Sequence, residues 1–171
     1  NAAGIIAEAI NNVEINNSYN KGDILGENVV GGLMASTENN KNLITINNSY
    51  NYGDTEGSFH GGLIGFINNA NELNINNSFH AGESNYAISA ILNSNVTANN
   101  CYYINGVTAV SNGTYEGMIY QTTLEELTNN EKFKEFLKYN EYISKSDLAN
   151  NSNNLWLYEK NELPILYFDD I

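Results

Sequence analysis

Six side chains in this sequence could do chemistry as ligands, acids or nucleophiles: His60, His80, Cys101, Asp23, Asp54 and Glu83. The histidines would be the start of a metal site. Zinc hydrolases commonly place two of them on one helix with a glutamate between, and no His-Glu-x-x-His occurs here. His80 directly follows an aromatic residue and His60 directly precedes Gly61-Gly62, so both read as turn residues. Cys101 could be a nucleophile. It stands, however, where equivalent segments carry Ser18, Ser49 and Ser78, which makes it a small buried side chain. Asp23, Asp54 and Glu83 each follow a glycine at an equivalent place. Stacked about 5 Å apart, such carboxylates repel, and they either splay into solvent or share a Ca²⁺. The dense Gly-Gly-x-Gly-x-Asp pattern of calcium-binding β-rolls is absent, which favours a solvated edge. Paired carboxylates beside an aromatic platform would suit polysaccharide cleavage, but the aromatic residues recur too regularly, beside small residues, to be anything but packing. No catalytic residue, metal ligand or cofactor site is therefore assigned.

The elements that hold these residues are visible as repetition. Ile15-Asn-Asn-Ser-Tyr19, Ile46-Asn-Asn-Ser-Tyr50, Ile75-Asn-Asn-Ser-Phe79 and Ala98-Asn-Asn-Cys-Tyr102 are four copies of one phrase, spaced 31, 29 and 23 residues apart. A second phrase alternates with it: Ala3-Gly-Ile-Ile-Ala7, Gly31-Gly-Leu-Met-Ala35, Gly61-Gly-Leu-Ile-Gly65 and Tyr86-Ala-Ile-Ser-Ala90. Self-similarity at such a period marks a stacked architecture. Val13-Glu-Ile15, Ile44-Thr-Ile46, Leu73-Asn-Ile75 and Val96-Thr-Ala98 alternate apolar and polar residues as half-buried strands do. The small apolar runs suit strands packed on both sides. Each unit then holds two strand-like runs, and Gly22, Gly53 and Gly82 read as turn glycines at positive φ. No helix of ordinary length fits between strands. The expected fold is a right-handed parallel β-helix or solenoid over residues 1–112.

Stacking at the strand spacing of about 4.8 Å aligns equivalent positions in columns. Asn16, Asn47, Asn76 and Asn99 form one column, and Asn17, Asn48, Asn77 and Asn100 the next. Each amide N–H can then meet the carbonyl oxygen of a stacked neighbour, and Asn tolerates the left-handed backbone of a tight corner. Tyr19, Tyr50, Phe79 and Tyr102 form an aromatic column. Ser18, Ser49, Ser78 and Cys101 form a column of small residues.

From about Asn112 the pattern changes. Thr123-Leu-Glu-Glu126 and Thr128-Asn-Asn-Glu131 have the form of capping boxes, and Phe133, Phe136, Leu137 and Asn140 follow at helical spacing, with Lys134 and Lys138 near the helix end. An Asn- and Ser-rich linker from Ser144 to Asn154 precedes two strands around a Glu-Lys-Asn turn. Residues 113–171 are expected to form a cap of one or two short helices and a β-hairpin, covering the solenoid end.

Composition removes several functions. Acidic residues outnumber basic ones 20 to 7, Arg is absent, and the net charge is −13. Nucleic acid requires Lys or Arg to displace counterions, so it is not an expected partner, and an anionic membrane surface is disfavoured for the same reason. No apolar run approaches the roughly 20 residues that span a bilayer, so no membrane insertion is expected. A single Cys rules out an internal disulfide. Asn accounts for 34 of the 171 residues, but at fixed places within an apolar pattern, unlike a disordered tract. Of six Asn-x-Ser/Thr sequons, at Asn16, Asn47, Asn76, Asn95, Asn112 and Asn150, three belong to the repeated phrase. In a bacterial protein they are a by-product of the column. The chain begins inside a repeat without Met or a basic leader, which gives the expectation that the natural protein extends upstream.

Gly-Gly-Leu-Ile-Gly at 61–65, followed by Ile75-Asn-Asn-Ser-Phe79 and Gly82, resembles the GLUG-motif repeat of bacterial surface and secreted proteins. Trp156 with Glu162-Leu-Pro-Ile-Leu166 resembles the segment that closes such arrays. The last repeat departs most, with Tyr86-Ala-Ile-Ser-Ala90 lacking the glycines and Cys101 replacing Ser. The resemblance implies a secreted or cell-surface bacterial protein, adhesin-like or related to the IgA-specific metallopeptidases, whose zinc site lies in a separate domain. It implies no catalytic residue here. The expected function is a non-enzymatic structural or binding module, with adhesion to a host or matrix protein or a glycan as its leading form. The alternatives are an accessory region of a secreted metallopeptidase and a carbohydrate-active β-helix. Edge-to-edge self-association is expected at the N-terminal end.

Overall fold

The computed structural model describes residues 1–37, 42–67, 72–92, 95–104, 108–110, 115–128, 142–144, 156–158 and 161–166. The chain divides into two compact units, Asn1–Gln121 and Thr122–Ile171.

The first unit is a coil of parallel strands, as the repeats require. The first turn holds β1 (Ala2–Ala3), β2 (Ile6–Ala9), β3 (Val13–Asn16), β4 (Tyr19–Asn20) and β5 (Ile24–Leu25). The second holds β6 (Val29–Gly31), β7 (Met34–Thr37), β8 (Leu43–Asn47), β9 (Tyr50–Asn51) and β10 (Thr55–Glu56). The third holds β11 (Phe59–Gly61), β12 (Ile64–Ile67), β13 (Glu72–Asn76) and β14 (Phe79–His80), and the fourth β15 (Tyr86–Leu92) and β16 (Asn95–Ile104). Strands β17 (Thr108–Val110) and β18 (Tyr115–Thr122) follow, pairing with β15 and β16. The first two turns thus each contain five short strands rather than two long ones. Each long run is broken where it bends, at Gly32-Leu33 in one sheet and at Asn48-Ser49 in the other. A third, two-stranded sheet joins β5 and β10.

Register follows the repeated phrase. Val13, Ile44, Leu73 and Val96 align across four turns, and so do Ile15, Ile46, Ile75 and Ala98. From the second turn onward these side chains are 0–1% exposed, whereas Thr45, Asn74 and Thr97 between them face out. The period of two has one apolar face inward. Leu33, Met34, Leu63, Ile64 and Ile88 supply the opposite wall of the core. Met34–Thr37 is buried along its whole length, the polar Ser36 and Thr37 included.

Both asparagine ladders form. Nδ2 of Asn47, Asn76 and Asn99 donates to Oδ1 of Asn16, Asn47 and Asn76 at 2.8, 2.8 and 3.0 Å. Nδ2 of Asn48, Asn77 and Asn100 donates to Oδ1 of Asn17, Asn48 and Asn77 at 3.3, 3.3 and 2.9 Å. The two columns differ in backbone: the second alone is left-handed, with φ of 50°, 48°, 47° and 54° at Asn17, Asn48, Asn77 and Asn100. Asn therefore serves twice at the second position, as ladder rung and as corner residue. Asn48→Ala should cost about 2 kcal/mol, combining two lost rungs with a left-handed alanine, while Asn48→Gly should cost about half as much because only the rungs go. Urea unfolding of both variants separates the two causes. Equal losses would show that corner geometry contributes nothing.

The turn glycines correct the reading from sequence. Gly22, Gly53 and Gly82 do not have positive φ; among the described glycines Gly117 does, at 106°. A Cβ on Gly53 would run into the carbonyl of Gly22, and one on Gly82 into that of Gly53. Glycine is needed there for close approach of successive turns, not for its conformation.

In the second unit Thr123 caps α1 (Leu124–Leu127). Its Oγ1 accepts from Glu126 N–H at 3.1 Å, and its own N–H donates to Glu126 Oε2 at 3.2 Å, the reciprocal box expected. The second box at Thr128–Glu131, the helical run through Phe133, Phe136, Leu137 and Asn140 with Lys134 and Lys138, most of the linker, and the sequons at Asn112 and Asn150 lie outside the described residues. A strand not foreseen, β19 (Tyr142–Ser144), adds in parallel to β20 (Trp156–Tyr158). β20 pairs antiparallel with β21 (Ile165–Leu166), forming the expected hairpin with Asn161 at φ 67° in its turn. Trp156, Leu157 and Leu166 are buried. No helix among the described residues is long and apolar enough to cross a membrane.

Candidate functional site

The residues with chemical potential are mostly engaged in joining one turn to the next. Ser49 and Ser78 Oγ accept the backbone N–H of Ser18 and Ser49 at 3.2 and 3.1 Å, and each hydroxyl donates to the asparagine carbonyl two residues back at 2.8 Å. Cys101 takes this place in the fourth turn. Its thiol is fully buried, 3.4 Å from Asn99 O and 3.5 Å from Ile75 O, and burial pushes its pKa up to about 12. A thiol held protonated in this way is a poor nucleophile. Native protein should resist thiol reagents and react at its one cysteine only on unfolding, and Cys101→Ser should change stability by no more than about 1 kcal/mol, since serine is the column's own residue. Rapid labelling of folded protein would contradict the burial.

The acidic column is likewise knitted into the stack. Asp54 N–H donates to Asp23 Oδ1 at 3.0 Å and Glu83 N–H to Asp54 Oδ1 at 2.7 Å, with all three residues exposed. Among the described residues no group of three or more His, Cys, Asp or Glu converges as metal ligands would. In the aromatic column Tyr50 stacks on Tyr19 at 5.3 Å and on Phe79 at 5.1 Å, with ring planes within 12°. Tyr50 and Phe79 are completely buried, so neither ring offers a sugar a platform.

The histidines are not turn residues. His60 lies in β11, half-buried, with Nδ1 3.5 Å from Thr55 Oγ1. His80 lies in β14 and is 0% exposed. It belongs to a column not foreseen from the sequence: Asn20, Asn51, His80 and Tyr103 align in register one residue after the aromatics. Asn51 is its centre. Its Nδ2 donates to Gly53 O and Gly62 O, both at 2.8 Å, and its Oδ1 accepts Gly53 N–H at 3.1 Å and Asn20 Nδ2 at 2.8 Å. With both amide protons of Asn51 used, His80 Nδ1 carries its own proton toward Asn51 O at 3.3 Å. Nε2 is then a bare acceptor, buried, with no hydrogen-bond partner among the described residues. Burial lowers the His80 pKa to about 4, against smaller raising effects from the Asn51 carbonyl and Asp54.

This column also accounts for the second phrase. A Cβ on Gly4, Gly32 or Gly62 would strike the side chain of Asn20, Asn51 or His80 respectively. The glycine of each Gly-Leu run leaves the space that the polar column of the same turn fills. In the fourth turn both partners change together, to Ala87 and Tyr103.

What remains outward is variable. Leu25 is 68% and Phe59 49% exposed, and Leu25, Gly26, Glu27, Glu56, Gly57 and Ser58 line a shallow groove of about 500 Å³.

No family model matches the chain, and no curated protein matches it. The likeness of its repeats to the GLUG motif therefore rests on the sequence alone. Among solved structures it is similar to a putative immunoglobulin A1 protease from Bacteroides ovatus, with 19% identity and a TM-score of 0.57. The match covers 98% of this chain and 53% of the other, so the chain spans about half the length of that structure. At this identity the likeness is one of fold, a coiled stack of parallel strands.

Proposed function

We propose that this chain is a non-catalytic structural and binding module of a larger bacterial protein that is secreted or displayed at the cell surface. The observation that carries this reading is where the repeated polar side chains go. Asn, Ser, Cys101 and the acidic column are used between turns, leaving specificity to the variable outer residues such as Leu25 and Phe59. Isolated exposed apolar groups are ordinary, but Leu25 lines a groove flanked by Glu27 and Glu56, which suits a contact surface. Adhesion to a host or matrix protein or a glycan is the leading form. The second form, a substrate-holding or spacing region of a secreted protease, is favoured by the fold likeness to the Bacteroides ovatus protein.

Immobilised chain presented with immunoglobulin A1, with matrix proteins and with a glycan array separates the two. Saturable binding to a matrix protein or glycan, weakened by Leu25→Asp, supports adhesion. Binding to immunoglobulin A1 without cleavage supports the accessory role. Cleavage of protein or polysaccharide by the purified chain alone would overturn both.

A further inference from the structure

The outer side of the β5–β10 sheet is acidic, and it lies along the flank of the stack rather than at its end. Asp54 and Glu56 are exposed and Thr55 between them is buried, so both carboxylates point outward. Turns lie on both sides of this strand: Ile24 N–H donates to Asp54 O at 2.8 Å, and Thr55 N–H donates to Glu83 O at 2.9 Å. Asp23 and Leu25 in the turn before, and Glu83 and Asn85 in the turn after, are exposed in the same alternation. A strand laid beside β5 would lengthen this flank as β10 does, and would not cover it. Asp23 and Asp54 are held in place, since Oδ1 of each accepts an N–H of the next turn. The first unit carries ten acidic residues against two lysines, and five of the ten, Asp23, Glu27, Asp54, Glu56 and Glu83, stand on this flank. The groove of about 500 Å³ that Leu25 lines is part of it. Gly26 and Gly57 give the groove bare backbone, each packed so close to Val30 that a Cβ would strike that side chain. Gly26 N–H donates to Glu56 O at 3.0 Å and Ser58 Oγ to Glu27 O at 2.8 Å, so the two turns that form the groove are tied to each other.

We infer that this groove takes a basic segment of a partner protein, with an apolar side chain against Leu25 and lysine or arginine side chains against Glu27, Glu56 and Asp54. The inference rests on the proposed binding role and names the partner's chemistry. Charge decides it. An anionic ligand is repelled by five carboxylates. A single metal ion needs several oxygens converging on one point, and no three acidic or histidine side chains converge among the described residues. A neutral sugar would leave the carboxylates unmatched, and the rings of Tyr50 and Phe79, buried in their column, give it no platform. A basic segment meets several carboxylates at once, and the aliphatic stems of its cationic side chains cover the apolar wall. Because the groove is already tied together, little of its own freedom is lost on binding.

The test titrates the full chain into a fluorescently labelled peptide, Lys-Lys-Leu-Lys-Lys, and reads anisotropy. Saturable binding is expected, weakened by added salt. Replacing Glu27 and Glu56 together by glutamine should weaken it about fivefold or more. Replacing Glu72 and Glu116 together by glutamine removes the same net charge from strands β13 and β18, and should change it by no more than about twofold. A peptide with glycine in place of leucine should also bind about fivefold more weakly, because Leu25 loses its contact. All four glutamate positions are exposed, so these variants keep the fold, which circular dichroism checks. Equal losses from the two glutamine pairs would show that net charge alone attracts the peptide, and equal binding of the glycine peptide would show that the groove is not used. Either result overturns the inference, as does absence of saturable binding at millimolar peptide or displacement of the peptide by equimolar Ca²⁺. Glycan or matrix-protein binding that depends on Leu25 while the peptide fails to bind would overturn this choice of partner and leave the binding role standing.

Discussion

Replacing Asn51 with alanine should be the most damaging single polar substitution among the described residues, costing about 4 kcal/mol. The side chain is 0% exposed and closes its own turn through Gly53 N–H and Gly53 O. It also ties that turn to Gly62 O and to Asn20. Alanine would leave several buried groups without partners, each worth about 1–3 kcal/mol, and relaxation of the cavity recovers only part of the sum. Asn20→Ala is the internal control. Asn20 makes the same local turn, with Nδ2 to Gly22 O at 2.6 Å, but at the partly exposed first turn, where water replaces lost bonds. Its loss should cost about 1 kcal/mol. Urea unfolding of both variants reads the difference, and losses within about 1 kcal/mol of each other would show that burial does not set the value of this column.

The second large effect is acid sensitivity centred on His80. The unfolded chain takes up a proton on this ring below its ordinary pKa of 6.5, whereas the folded chain does so only near pH 4. Between those values the unfolded state binds more protons. The contribution of neutral His80 is therefore complete above pH 6.5, declines as pH falls, and is gone below about pH 4. The difference of about 2.5 pKa units corresponds to about 3 kcal/mol. Carboxylates elsewhere also titrate, so the informative quantity is the difference between wild type and His80→Asn, which installs the residue that the column uses in the first two turns. Unfolding at pH 7 and pH 4.5 should show wild type losing about 2–3 kcal/mol more than the variant. Parallel losses would mean that the ring is hydrated or already partnered in the folded state.

Much of the fold is legible in the residues, and the reason is repetition. Ile-Asn-Asn-Ser-aromatic recurs with little change because each position has one neighbour of its own kind above and below, so the ladders, the serine column and the aromatic stack follow from the order of residues alone. The Asn20, Asn51, His80 and Tyr103 column escapes because its residue types change from turn to turn while its position does not. Its signal is nevertheless present in the paired glycines at 4, 32 and 62, whose missing side chains match its presence. Gly53 and Gly82 mislead for a related reason: sequence cannot distinguish a glycine needed for its φ from one needed for its lack of bulk. β19 escapes because three residues, Tyr142–Ser144, carry too short an alternation to show. As to a site, the sequence correctly places Cys101 in the buried small-residue column, while His80 is misplaced because nothing local distinguishes a strand end from a turn.

The ladders join residues 31, 29 and 23 positions apart with nearly the same bond lengths. Contact between turns is thus indifferent to how much chain separates one rung from the next. A turn behaves as a cassette: it can be duplicated, exchanged or lengthened in its connecting segment, provided its Asn-Asn-Ser phrase and its glycine stay matched to those beside it. In engineering terms the molecule is a ruler whose length is set by counting cassettes, and whose outer decoration can be rewritten without touching the markings.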